Sequence, residues 1–141
     1  MVQALDYRAI PYRHWQLALG RNRDALGEIV HGLDDVDQAI ATIILTEKGS
    51  VPTQPEKCTR LAPYIDRRPD YAIPNITREI FDALRIWEPR IVVERVAITP
   101  VDFAHWRFPV FWRLASDVTR EIRQTVIILP EERRPGVISD A

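Results

Sequence analysis

The chain has 141 residues, of which 46% are hydrophobic and 28% are charged, and its formal net charge is −1. These values are typical of one globular domain with a buried core, and the balanced charge excludes a general attraction to nucleic acids or acidic membranes. A single cysteine, Cys58, cannot form an internal disulfide, and the three histidines lack the spacing of a zinc site. We therefore expect no metal and no cofactor.

The N-terminal part predicts an arm and a small pair of strands. Residues 1–11 show no clear periodicity and predict an extended arm before a single domain at 12–130. Within that domain, residues 14–19 and 26–30 predict two short strands, which are separated by a turn at 20–24.

A first main helix follows. Asp34 and Asp35 offer an N-cap and a favourable charge at its start, and Gly49 is a natural residue just beyond its end. The predicted helix covers residues 34–47. Apolar residues recur on one face at helical spacing, namely Val36, Ile40, Ile43 and Ile44.

A proline-rich connector leads to a second main helix. Residues 50–74 contain five prolines and predict a rigid, irregular segment with a short helix at 59–66. Asn75 is a suitable N-cap for the second helix, and Pro89 must end it. The apolar stripe of this helix is formed by Ile76, Ile80, Ala83, Leu84 and Trp87.

The remaining segments predict strands. Residues 91–98 are rich in β-branched residues, residues 106–114 alternate with a period of two, and residues 122–129 form a third apolar run. Pro109 argues for an edge position or a bulge in the second of these strands. Three successive strands favour an antiparallel meander, followed by a tail at 131–141. The predicted fold class is therefore α+β, with two main helices packed on a small, mainly antiparallel β-sheet and a proline-rich connector.

The junction Trp87-Glu88-Pro89-Arg90 joins the second helix to the first strand of the meander. Pro89 has a fixed φ angle and no N–H, and it displaces Glu88 from helical geometry. Opposite charges thus flank a stiff corner, which suits docking to another protein better than it suits chemistry. The alternative is a surface salt bridge that stabilises the fold by about 0–1 kcal/mol. In a docking role, we expect Arg90 to make a bidentate contact to a carboxylate or to backbone carbonyls.

Two segments of the chain carry a resemblance to a known family. The first is the helix from Val36 that runs into Thr46-Glu47-Lys48-Gly49-Ser50 and the prolines after it. The second is the helix at 76–84, followed by an aromatic residue, Glu-Pro-Arg and an aliphatic residue in Trp87-Glu88-Pro89-Arg90-Ile91. Together they resemble the gpW-like baseplate wedge family of contractile phage tails, which includes the type VI secretion subunit TssE. One departure is Lys57-Cys58, where the family usually has an aromatic-Gly pair.

The resemblance implies a structural, non-enzymatic role in the baseplate of a contractile injection machine. It implies that Trp87, Glu88, Pro89 and Arg90 engage the core bundle of neighbouring wedge subunits. It also implies that the C-terminal strands contact the first ring of the tail sheath and initiate sheath assembly, with several copies in a six-fold baseplate. The expected location is the virion, after assembly in the host cytoplasm, without membrane or nucleic-acid partners. Our candidate sheath-contact residues are Ile122, Gln124, Val126 and Ile128.

Two other classes of function stay open at this point. Relatives have carried a lysozyme label, but a peptidoglycan-degrading enzyme needs two carboxylates that face each other about 5–9.5 Å apart across a sugar cleft. The acidic residues of the sequence show no such cluster. A nucleic-acid-binding module would use the arginines near the C-terminus, but acidic neighbours cancel that patch. The sequence also does not separate a phage tail from a secretion or toxin-injection particle.

Overall fold

Two helices pack against one face of an antiparallel sheet, and a two-stranded hairpin precedes them. These features belong to a computed structural model that describes residues 14–19, 27–102 and 105–129. In chain order the elements are β1 (Trp15–Leu17), β2 (Ile29–His31), α1 (Gly32–Leu45), α2 (Ala62–Ile65), α3 (Pro69–Trp87), β3 (Ile91–Val96), β4 (Thr99–Asp102), β5 (His105–Leu114) and β6 (Arg123–Leu129).

The strand β5 is central to the sheet. On one side it pairs antiparallel with β6, and on the other side it pairs with β3 along its C-terminal half and with β4 near its N-terminal end. This is the predicted meander with β4 as an additional short strand. The predicted α+β class, with two main helices on a small antiparallel sheet, is confirmed.

Pro109 lies in this central strand and its pairing with β6 is regular, so both predicted settings, an edge position or a bulge, are wrong. Its carbonyl accepts a hydrogen bond from the Ala97 N–H at 3.0 Å, where the pairing of β5 passes from β3 to β4. In an antiparallel pair, the N–H and C=O groups of one residue point to the same neighbouring strand. The missing N–H of Pro109 therefore faces this interruption, and the ladder between β5 and β6 loses no hydrogen bond.

The core lies between the helices and the inner face of the sheet. The predicted alternation in β5 is confirmed, because every second side chain is buried: Trp106, Phe108, Val110 and Trp112. Facing them are the apolar stripes of the two main helices, which consist of Val36, Ile40, Ile43 and Ile44 in α1 and Ala72, Ile76, Ile80, Ala83 and Leu84 in α3. These stripes follow the predicted helical spacing.

The second main helix begins earlier than predicted. It starts at Pro69, and the predicted N-cap, Asn75, lies inside it and donates a side-chain hydrogen bond to the Tyr71 carbonyl. The helix continues through Pro74, although a proline there removes one backbone hydrogen bond. The burial of Ala72 explains why the helix begins before Pro74, because this contact holds the first turns against the core.

The first main helix is also shifted towards the N-terminus. Its first residue is Gly32, and Asp35 is a buried residue within the helix rather than its cap. After the helix, the connector is tied back through Thr59, whose hydroxyl donates to the Ile44 carbonyl at 2.9 Å. The preceding residue, Cys58, has a φ angle of 78°, which is the left-handed conformation that favours glycine.

The two short N-terminal strands are confirmed as β1 and β2, which pair antiparallel. The predicted turn at 20–24, the arm at 1–11 and the tail at 131–141 lie outside the described residues. The predicted domain boundaries therefore stay predictions. Within the described ranges, no helix is long and apolar enough to cross a membrane.

Candidate docking site at the helix–strand corner

The corner between α3 and β3 forms as its sequence predicts. The helix ends at Trp87, and the Glu88 N–H still donates to the Leu84 carbonyl at 2.9 Å. Pro89 then stands exposed at the tip, while the Ile91 N–H donates back to the Glu88 carbonyl at 3.3 Å. The chain thus reverses within a few residues and enters the sheet directly.

Arg90 binds two carboxylates of its own chain. Its Nε donates to Glu88 Oε1 at 2.6 Å and its Nη2 donates to Glu88 Oε2 at 2.8 Å, which is the bidentate geometry expected of an arginine. Its Nη1 donates to Asp35 Oδ2 at 2.5 Å. We call these three residues the clamp. The bidentate contact that a docking role predicts for Arg90 stays a prediction, because in the structure this geometry is directed to Glu88 of the same chain.

The clamp is largely buried, which distinguishes it from a surface ion pair. Asp35 and Glu88 are only 3% and 5% exposed, and the Arg90 side chain is 26% exposed. The hydrogen bonds to Glu88 raise the pKa of Arg90 above its usual value, burial opposes that rise, and the hydrogen bond to Asp35 adds to it. The guanidinium therefore stays charged. Loss of the guanidinium or of its carboxylate partners would leave a buried charge uncompensated.

Asp35 is the clamp residue that sequence reasoning missed. It lies 55 positions from Arg90, and an aspartate near a helix start is already explained by capping. The available signal was that two aspartates begin the helix where one cap would suffice. Only the packing of α1 against the α3–β3 corner brings the two residues together.

A pocket of about 290 Å³ opens beside the clamp, between β1 and the start of α1. The Gln16 amide fixes its wall by donating to the Asp35 carbonyl oxygen at 2.8 Å. The lining residues of the pocket are His14, Trp15, Gln16, Asp35, Ala39 and Arg90.

The candidate sheath-contact residues lie at one edge of the sheet. In the described part of the chain, β6 pairs with β5 and with no other strand. Pro109 directs its backbone away from β6, so Pro109 and Val126 form a non-hydrogen-bonded pair. The N–H and C=O of Val126 therefore point to the open edge of the sheet. Gln124 and Ile128 share this orientation, since they lie two residues away on either side, and all three side chains are exposed. Ile122 is exposed just before the strand begins.

The side chains of β6 on the inner face of the sheet contact the rest of the fold. The Trp112 indole N–H donates to the Thr125 hydroxyl at 2.8 Å, and that hydroxyl donates to the Asp37 carboxylate of α1. Ile127 is buried in the core. The open edge is therefore carried by a strand that α1 and β5 hold in place. No group of three or more metal-binding side chains occurs among the described residues.

The fold is shared with other solved structures, among them the following two. A Geobacter sulfurreducens protein with the provisional name of tail lysozyme is 24% identical, with a TM-score of 0.58 over 68% of this chain and 87% of its own. A chain in a structure of the baseplate complex from the type VI secretion system is 18% identical, with a TM-score of 0.53 over 68% of this chain and 90% of its own. No family model and no curated protein matches the sequence. At the level of the fold, these likenesses confirm the resemblance to the gpW-like wedge proteins.

Proposed function

We propose that the protein is a structural, non-enzymatic component of a contractile-tail baseplate, which links wedge subunits to the first sheath ring and initiates sheath assembly. The observation that carries this proposal is the fold shared with a chain of a type VI secretion baseplate structure. The corner at residues 87–90 and the open edge of β6 support this proposal. The corner offers a surface to the wedge, and the edge offers one to the sheath.

The corner supplies the surface for the core bundle of the wedge. The clamp holds Glu88 and Arg90 in one geometry, so the exposed Pro89 is presented from a rigid support. A preorganised surface loses little conformational entropy on binding. The half-buried Trp87 adds an aromatic contact beside the tip, and Lys57 Nζ lies 5.7 Å from the centre of its ring.

The edge of β6 supplies the surface for the sheath. Natural sheets protect their edges with bulges and charged residues, and β3 follows this rule, with a bulge next to Glu94 and Arg95. In β6, the edge-facing residues Gln124, Val126 and Ile128 are uncharged and its pairing with β5 is regular. Such an edge suits the addition of a strand from a partner.

A hydrolase is the second candidate, because one neighbour in fold carries the name tail lysozyme. In the clamp, two acidic side chains, Asp35 and Glu88, bind the same guanidinium. Arg90 binds both carboxylates and occupies the space between them, where a glycosidase would hold its sugar. The structural role is therefore favoured.

Co-expression with the neighbouring wedge subunits of its own gene cluster tests the role of the corner. The variant Pro89→Asp changes the exposed tip and none of the side-chain hydrogen bonds of the clamp. We expect a folded protein whose incorporation into the purified wedge falls about tenfold or more. The control Val118→Asp alters a side chain that is 95% exposed elsewhere and should incorporate normally. Normal incorporation of Pro89→Asp would contradict the docking role of the corner.

A further inference from the structure

A larger cleft, with a volume of about 600 Å³, opens between α2 and the start of α3. We call it the tyrosine cleft, and its lining residues are Pro63, Tyr64, Arg67, Arg68 and Tyr71. The ring centres of Tyr64 and Tyr71 lie 6.2 Å apart, and Tyr71 is 57% exposed. Tyrosine and arginine are enriched at protein interfaces, so the composition of the cleft suits contact with another protein.

Both walls of the tyrosine cleft are tied to the rest of the fold. The Trp106 indole N–H donates to the Ile65 carbonyl at 3.1 Å and joins α2 to the central strand of the sheet. At the start of α3, the Tyr71 N–H donates to the Arg68 carbonyl at 3.0 Å, and the next residue, Ala72, is fully buried. A partner therefore meets a preformed surface, which reduces the entropy lost on binding.

The described residues that line the cleft include two arginines and no acidic side chain. Arg67 is exposed, and its guanidinium forms no ion pair with any residue in the described ranges. Arg68 binds Asp70 at 3.1 Å, but both side chains are at least 80% exposed, so this pair is weak. Asp66 is exposed and lies outside the lining, where water screens its charge. The cleft thus presents an unneutralised cation, but not the long row of cations that a nucleic-acid backbone needs.

We propose that the tyrosine cleft binds a short acidic segment of a partner protein. A carboxylate of that segment accepts hydrogen bonds from Arg67, whose planar guanidinium matches a carboxylate at two points. Neighbouring residues of the segment pack on the rings of Tyr64 and Tyr71, whose hydroxyl groups form no hydrogen bond with the described residues and are available as donors. The inference rests on the proposed function only for the identity of the partner, which is a subunit of the baseplate.

A titration of the full-length, ¹⁵N-labelled protein with two peptides tests the chemistry of the cleft. The probes are acetyl-Leu-Glu-Glu-Leu-amide and acetyl-Leu-Gln-Gln-Leu-amide, which differ in charge and hardly in shape. The resonances to follow are the backbone amides of Arg67, Arg68 and Tyr71. We expect saturable shifts with the glutamate peptide and binding about tenfold weaker or more with the glutamine peptide. Equal binding of the two peptides, or binding of neither, would overturn the proposal.

Variants separate the charge of the cleft from its rings. Arg67→Gln should weaken the glutamate peptide about tenfold, whereas Arg85→Gln removes the same charge from an exposed position near the other end of α3 and should not change its affinity. Tyr71→Ala should weaken both peptides, because the ring contacts the segment whatever its charge. If Arg67→Gln binds the glutamate peptide as the unmodified protein does, the proposal is wrong.

The C-terminal part of the chain is the rival source of carboxylates. Strand β6 ends at Leu129, which pairs with Trp106, and the indole of Trp106 binds α2. Glu131 and Glu132 follow in the sequence. If the glutamate peptide binds only after both are replaced by glutamine, the chain fills its own cleft and the partner proposal is overturned. Binding to the protein that retains them supports the partner.

These measurements need no baseplate subunit, so they are independent of the test of the corner. If the glutamate peptide fails to bind while Pro89→Asp still blocks wedge incorporation, the cleft proposal fails and the proposed function stands.

Discussion

Arg90 is the residue on which the geometry of the corner depends. One guanidinium serves two nearly buried carboxylates, one from its own corner and one from a helix 55 positions earlier. The corner is thus neither a free docking pair nor a surface salt bridge. Its charges stabilise the corner from inside, and the exposed tip at Pro89 is left for contacts with other molecules.

Replacing Arg90 should therefore cost stability. In Arg90→Ala the two carboxylates lose their shared partner, and removal of one member of a buried charge cluster costs about 3–5 kcal/mol. Denaturant unfolding of the isolated protein measures this loss. Arg68 offers a matched control, because it forms an ion pair with Asp70 at the same spacing of two residues, but both side chains are at least 80% exposed. Arg68→Ala should cost about 0–1 kcal/mol, and equal losses at both positions would contradict the buried clamp.

Cys58 has a left-handed backbone conformation although it is not a glycine. Its left-handed backbone is unfavourable by about 1–2 kcal/mol for a residue with a Cβ. Cys58→Gly removes this strain and Cys58→Ala keeps it, while both lose the buried thiol. After allowance for the greater freedom of glycine in the unfolded chain, the glycine variant should be about 1 kcal/mol more stable than the alanine variant. The same pair of substitutions at Arg120, an exposed residue with a φ angle of 54°, serves as a positive control. Equal stability of the two Cys58 variants would show that the loop relaxes around the side chain.

Helix α3 contains a proline in its interior, where the missing N–H is unfavourable. Pro74 is the sixth residue of the helix, and it leaves the Asp70 carbonyl without its usual donor. Because the side chain is exposed, Pro74→Ala restores the donor without loss of packing. We expect a gain of about 1–2 kcal/mol in the free energy of unfolding, which is the helix penalty of proline less its advantage in the unfolded chain. Pro69→Ala is the control, because the first position of a helix needs no N–H, and a gain as large there would contradict this explanation.

Local pattern was sufficient for most elements and insufficient where tertiary packing decides. The spacing of Val36, Ile40 and Ile44 and the alternation in β5 correctly predicted the faces that form the core. The start of α3 was predicted six residues late, because Pro74 is a strong local signal that the buried Ala72 overrides. The position of Pro109 depends on a change of partner strand, which no local pattern reports. For the candidate site, sequence predicted the corner, but the clamp also needs Asp35, which only the packing of α1 supplies.

Helix α1 connects the proposed interaction surfaces. Its Asp35 holds the corner, its Asp37 accepts a hydrogen bond from Thr125 of β6, and its Gln38 holds the hairpin. The proposed contacts with the wedge and the sheath therefore stand in a fixed relation to one another. A component that joins two assemblies needs such a rigid centre, so that the position of the first sheath ring follows from the position of the wedge.

The two proposed roles should nevertheless be separable by substitution. Val126 directs its N–H to the open edge, so Val126→Pro removes a donor needed for strand addition and leaves the ladder to β5 intact. We expect this variant to fold and to enter the wedge normally, but to seed few sheaths when baseplates and sheath protein are mixed and counted by electron microscopy. Val126→Thr keeps the N–H and should seed sheaths as the unmodified protein does. If Val126→Pro seeds sheaths normally, the edge of β6 is not the sheath contact, whereas a loss of wedge entry as well would show that α1 does not keep the two surfaces independent.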